Sequence, residues 1–107
     1  MANDGCRIVE LLHGKYDATD LPYSLAIAEV EVGQSSYRHR LRQTEIYLIL
    51  AGRGRIHVDQ DSRELAVGDT VVIAPEAVQW IDNIGDQCLR FVAVVSPPWC
   101  AADDTRL

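Results

Sequence analysis

Apolar and polar residues alternate along most of this chain with a period of two, the spacing of a strand with one face turned inward. Residues 45–51 carry the pattern most clearly. If Glu45 points inward, so do Tyr47, Ile49 and Ala51, and Ile46, Leu48 and Leu50 point outward. The same reading predicts strands over 8–12, 23–32, 55–59, 64–67, 70–74, 78–81 and 88–95, separated by polar or glycine-containing reversals. Gly52-Arg53-Gly54 reads as a tight reversal that folds 55–59 back onto 45–51. Pro97 and Pro98 end the last strand, and the tail from Trp99 reads as irregular, with Trp99 available to cover an open end. No segment carries a convincing helical period, an internal repeat or a low-complexity tract.

Short strands at regular turn spacing suit a sandwich or a barrel. Strands this apolar are costly to leave with unpaired edges, so closure into an all-β barrel is expected. The outward row Ile46, Leu48 and Leu50 needs cover from another strand layer or a second subunit, and a homodimer is the expected assembly. At 107 residues the chain is one domain.

Charge and cysteine usage narrow the function classes. The formal charge is -6, from 16 acidic and 10 basic side chains, with no basic stripe to meet a nucleic-acid backbone. Arg38, Arg40 and Arg42 alternate, as a solvated or intersubunit face does; the other reading is a pocket rim that draws an anion. Cys6, Cys88 and Cys100 share no metal-ligand spacing and read as free thiols in a reducing compartment, with Cys88 a small hydrophobe in its strand. Nothing at the start resembles a signal peptide, and no run is long enough to cross a bilayer, so a soluble cytoplasmic protein with no membrane partner is expected. Phosphate-cradling loops, a nucleophilic triad and a thioredoxin-like cysteine pair find no support.

Two spaced motifs carry the remaining signal. The first is Gly33, five residues, His39, then Leu41, Glu45 and Gly52; the second is Gly68, Asp69, the β-rich stretch 70–74, Pro75, Glu76, Gln79 and Asn83. Together they resemble the two motifs of the cupin superfamily, over residues 23–99, with 1–22 an N-terminal segment bearing a short strand and 100–107 a C-terminal tail. The resemblance implies a double-stranded β-helix, or jelly-roll barrel, around a polar pocket. It departs from the family pattern at three places. Leu41 stands for the second histidine of the first motif, Glu76 for the turn glycine of the second, and Gln79 for its histidine.

In that family three histidines and a glutamate hold a divalent metal: iron, manganese, nickel or zinc. Carried over by position, His39, Glu45 and Gln79 are the candidate metal ligands, and Leu41 cannot ligate. His39 has a second reading as a hydrogen-bond partner of Glu45 with no metal. Tyr47, on Glu45's face, and His57, if the 45–51/55–59 hairpin is symmetric about Arg53, are candidate groups for moving or orienting a proton. Tyr47 can equally be interior filling, Trp80 belongs on the face opposite Gln79, and His13 has no spacing that ties it to the pocket. Two functions stay open: a metal-dependent enzyme of isomerase or dioxygenase type acting on a small polar or sugar-like molecule, and a non-catalytic small-molecule binder with a weakened or absent metal site. A purely structural role is the third reading.

Overall fold

The structure, a computed structural model, describes residues 6–12 and 21–107. Ten strands follow one another: β1 (Cys6–Leu12), β2 (Ser24–Val30), β3 (His39–Leu41), β4 (Thr44–Ala51), β5 (Gly54–Val58), β6 (Asp61–Leu65), β7 (Thr70–Ile73), β8 (Val78–Asn83), β9 (Leu89–Ser96) and β10 (Asp104–Arg106). They form two five-stranded sheets of order β1-β2-β9-β4-β7 and β10-β3-β8-β5-β6. Each neighbouring pair is antiparallel. No helix among the described residues is long and apolar enough to cross a membrane.

The closed barrel is not what forms. Both sheets are open: β1 and β7 edge the first, β10 and β6 the second, and among the described residues no ladder joins them. A lone bridge between Ser35 and Asp82 lies outside the ladders. The edges are managed by other means than closure. In β6 the residues Asp61, Ser62, Arg63 and Glu64 are all exposed, and β7 has only four residues. Arg63 donates a side-chain hydrogen bond of 2.7 Å to the carbonyl of Thr70 on the edge strand β7. Charge and shortness blunt an edge without a further strand.

The Gly52 region also differs from expectation. β4 pairs with β7 and β9, whereas β5 pairs with β6 and β8, so residues 52–53 carry the chain from one sheet to the other. They do not close a hairpin. The tail after Trp99 is likewise ordered: a 3-10 turn at Ala101–Asp103 leads into β10, which pairs with β3 through Asp104 and Leu41, Thr105 and Arg40, and Arg106 and His39. Cys88 precedes β9 and is exposed, as is Cys100; both are free thiols. His13 lies outside the described residues.

Period two organises the interior. In β4, Glu45, Tyr47 and Ile49 are buried, while Ile46, Leu48 and Leu50 are exposed. The inner face of the first sheet can be read in rows from the register. Ser24, Val95, Glu45 and Ile73 form one; Ala26, Ala93, Tyr47 and Val71 the next; Ala28, Phe91 and Ile49 a third; and Val30 and Leu89 a fourth. The large aliphatic end packs on Ile56, Leu65 and Ile81 of the second sheet to make the core. At the other end Ser24, Ala26 and Ala93 are too small to reach across.

Gly52 holds the crossing. Its φ of +82° belongs to the left-handed region, and a Cβ there would lie 2.8 Å from the carbonyl oxygen of Cys88 and 3.0 Å from Cα of Leu89. Gly68 has a φ of +90° with open space around it. Gly68→Ala is therefore expected to cost about 1 kcal/mol of backbone strain, and Gly52→Ala roughly 3 kcal/mol, because a clash with β9 is added. Urea unfolding of both variants checks this; equal losses would deny the close approach at Gly52.

Candidate functional site

Where the inner side chains of the first sheet are small, a cavity of about 380 Å³ opens between the sheets. β2 and β9 supply its floor through Ser24, Ala26, Ala28, Phe91, Ala93 and Val95, and β4 supplies Glu45 and Tyr47. From the other side come Tyr37, His39, Leu41 and, on β10, Asp104. Tyr37, His39 and Leu41 are two residues apart and turn the same way, whereas Arg38, Arg40 and Arg42 alternate with them. The arginines serve elsewhere: Arg38 lies over the Trp80 ring, Arg40 near Glu76 and Arg42 near Asp103. None of them lines the cavity.

His39 and Glu45 face one another. His39 Nε2 is 3.9 Å from Glu45 Oε1, too far for a hydrogen bond yet close enough for an ion pair. On its other side His39 Nδ1 is 3.3 Å from the carbonyl of Tyr37. Glu45 Oε1 is buried without a hydrogen-bond partner. Tyr47 donates its hydroxyl to Gln79 Oε1 at 2.8 Å, and its ring packs on Phe91 at 4.5 Å between centroids. Gln79 is 1% exposed and sits behind Tyr47, outside the cavity lining. Asp104 Oδ2 accepts from Trp99 Nε1 at 3.1 Å and from the Tyr37 hydroxyl at 3.4 Å, while Asp104 Oδ1 is buried with no partner.

His57 is not part of this arrangement. On β5 it alternates with the buried Ile56 and turns to the outer face of the second sheet, where it stacks on Trp80 at 4.4 Å between centroids. Its Nε2 lies 2.7 Å from Asp82 Oδ2, and Ser35 donates to Asp82 Oδ1 at 2.5 Å. The aspartate therefore sits between serine and histidine, so the imidazole cannot take the serine's proton and no nucleophilic triad results. The expectation of His57 in the pocket rested on a β4–β5 hairpin, and that pairing does not occur.

The expected metal centre is also corrected. Among the described residues, no group of three His, Cys, Asp or Glu side chains gathers to hold an ion. The donor set explains why. His39 and Glu45 offer one nitrogen and one carboxylate, Leu41 fills a donor position with alkyl, and the Gln79 oxygen is taken by the Tyr47 hydroxyl. Transition-metal sites use three or four protein donors. The residues present do not fit such an ion.

Sequence reasoning missed Asp104, Tyr37 and the alanines. The spacing of Tyr37 from His39, and of Ser24, Ala26 and Ala28 along β2, was a usable signal: small residues at every second position leave space. Nothing local marked Asp104, because its place depends on the pairing of β10 with β3.

The imidazole of His39 is under opposing influences. Burial is the largest and disfavours its charge, but Glu45, Asp104 and the Tyr37 carbonyl together outweigh it and hold the pKa above the usual value of 6.5. The raised value means that His39 contributes stability in full below its unfolded pKa, and that this contribution is lost as pH rises through the folded pKa. Melting temperature should therefore fall by a few degrees from about pH 6 to about pH 8, and His39→Gln should flatten that slope. A slope unchanged in His39→Gln would mean that His39 does not bear the charge.

Comparison with known proteins agrees with this architecture. The cupin domain family model matches residues 26–95. The uncharacterized protein MJ1618 of Methanocaldococcus jannaschii is 36% identical over 108 residues, an alignment covering all of this chain and 85% of the relative. A cupin 2 domain-containing protein from Halorhodospira halophila superposes with a TM-score of 0.80 at 24% identity, over 92% of this chain and 73% of its own. Oxalate decarboxylase from Lactobacillus farciminis, in a formate complex, superposes with a TM-score of 0.87 at 23% identity. This chain is covered entirely but spans 32% of that enzyme, and likeness at such identity is one of fold. Motif spacing, two antiparallel sheets and the family match agree: this chain belongs to the cupin domain family.

Proposed function

We propose that this chain is a non-catalytic small-molecule-binding cupin whose family metal site has been replaced by a hydrogen-bonding pocket. One observation carries the reading: Glu45, whose Oε1 is buried and without a donor, is among the residues lining a cavity of about 380 Å³ walled largely by apolar side chains. A buried polar group without a partner is costly, and a ligand that supplies the missing donor repays that cost on binding. In this reading His39 and Glu45 contact the ligand directly. Tyr47 shapes the floor, and Gln79 orients the Tyr47 hydroxyl. An enzyme routed through a metal has less support, since Leu41 faces the space where a third donor would be needed.

The test is a fragment titration followed by NMR on the full chain, with fragments of each charge type. Shifts should concentrate on Tyr37, His39, Tyr47 and Phe91, and Ala93→Phe, which places a ring in the cavity, should weaken binding about tenfold or more. Absence of any binder, or binders indifferent to Ala93→Phe, would overturn the proposal.

The partner of the outer face is proposed to be a second copy. Across the first sheet the register aligns Leu25, Val94, Ile46 and Val72 in one outer row, and Ile27, Val92 and Leu48 in the next. Ile46, Leu48 and Leu50 are each at least 37% exposed and Val72 is 66% exposed. A multi-strand aliphatic face of this kind suits an isologous dimer. Sedimentation should give a dimer, and Leu48→Lys a folded monomer; a monomeric wild-type protein at micromolar concentration would sink this assignment.

A further inference from the structure

The cavity's unsatisfied atoms say what kind of ligand would suit it. Three buried side-chain atoms among the described residues lack a hydrogen-bond partner: Gln43 Oε1, Glu45 Oε1 and Asp104 Oδ1. Two of them belong to side chains that line the cavity, and both are carboxylate oxygens, which accept and cannot donate when ionised. Glu45 comes from β4 of the first sheet and Asp104 from β10 of the second, so the two carboxylate side chains line the cavity from opposite walls. The Glu45 side chain is only 9% exposed. Asp104 is oriented by Trp99 and Tyr37 through its other oxygen.

Among the described residues, no lysine or arginine lines this space. The guanidinium of Arg106 is 3.9 Å from the centre of the Tyr37 ring and is not part of the lining. His39 is the one basic group among the described lining residues, against the two carboxylates Glu45 and Asp104. Tyr37, Tyr47, Phe91 and Trp99 add aromatic surface.

We propose that the cavity selects a small organic cation, a protonated primary amine carried on an apolar or aromatic body, with Glu45 and Asp104 accepting its N–H groups. The inference rests on the binding role proposed above and adds the ligand class. An ammonium group carries three donors and one positive charge, which match two unsatisfied anionic acceptors. Aromatic walls favour the same charge and pack against the body. A carboxylate or phosphate would bring a further negative charge against two carboxylates, with no arginine or lysine among the described lining residues to meet it. A neutral alcohol offers one donor and no charge.

Calorimetric titration of the full chain with phenethylamine, phenethyl alcohol and phenylacetate separates these cases, since the three differ chiefly in the polar head. The amine should bind about tenfold or more tighter than the alcohol, and phenylacetate should not saturate. Glu45→Gln and Asp104→Asn, each checked for a native NMR spectrum, should weaken the amine about tenfold and the alcohol by clearly less. The ranking on the wild-type chain needs no variant. Equal or tighter binding of the alcohol or the acid would overturn the amine assignment, as would amine affinity unmoved by both substitutions. If those probes bind and Ala93→Phe abolishes their binding, the cavity's binding role stands and only the ligand class falls. If no probe binds, the amine assignment falls, and silence across the wider fragment set removes the binding role too.

Discussion

The inner face of the first sheet changes character along its length, and the rest of the molecule follows from that change. β2, β9 and β4 run side by side, and along them small or polar inward side chains give way to large ones, from Ser24 to Val30, from Ala93 to Leu89 and from Glu45 to Ile49, with Val95 the larger inward residue at the cavity end of β9. Facing sheets settle near a common spacing, so side chains that cannot span it leave a void, and those that can make a core. Core and cavity are thus two ends of one surface. Tyr47 and Phe91, in ring contact, belong to both the core cluster and the cavity lining and mark the boundary.

That geometry gives Glu45 its unusual position. A carboxylate taken from water needs compensation, and when its partner is incomplete the cost falls on the folded state. His39 supplies an ion pair at 3.9 Å without a hydrogen bond to Oε1. The polar residues around the cavity consequently do not satisfy one another, which weighs against a purely structural use of this end of the fold. By contrast, Tyr47 donates its hydroxyl to Gln79 Oε1, and Gln79 lies outside the cavity lining. The position that resembles a family ligand now serves the packing behind the wall.

What the sequence made legible was local alternation. The inward placement of Glu45, Tyr47 and Ile49 and the outward row Ile46, Leu48 and Leu50 follow from period two within a single strand, while Ala51, expected inward, is only half-buried beyond a register shift after Ile49. Strand partnership was not legible. Whether 55–59 returns on 45–51 or crosses to another sheet depends on long-range packing, and the glycines at 52 and 54 permit either. That one ambiguity misplaced His57, because a strand's facing has no meaning until its sheet is known. Closure was expected for a different reason, the cost of unpaired apolar edges, whereas the chain uses short and charged edges at β6 and β7. Asp104 was invisible for the reason that misplaced His57, since three residues of β10 gain their place only by pairing with β3.

The family resemblance survives while the metal donors do not, because the motif residues perform separable tasks. Several are tied to backbone. Gly33, Gly52 and Gly68 all occupy the left-handed region, and Gly52 allows the chain to pass close to Cys88. Asn83 is 7% exposed, donates to the carbonyls of Val30 and Gln87, and accepts from the amide of Gly85, so it pins the turn into β9. Even Glu76, standing where the family pattern has glycine, keeps a φ of +70° and donates its N–H to the Leu41 carbonyl at 2.7 Å. A glutamate held at that angle bears strain of about 1 kcal/mol or more, so the surrounding contacts impose the turn rather than the residue's own preference. None of these duties involves an ion. A sequence can therefore carry leucine at position 41 and glutamine at 79 and still keep this backbone frame.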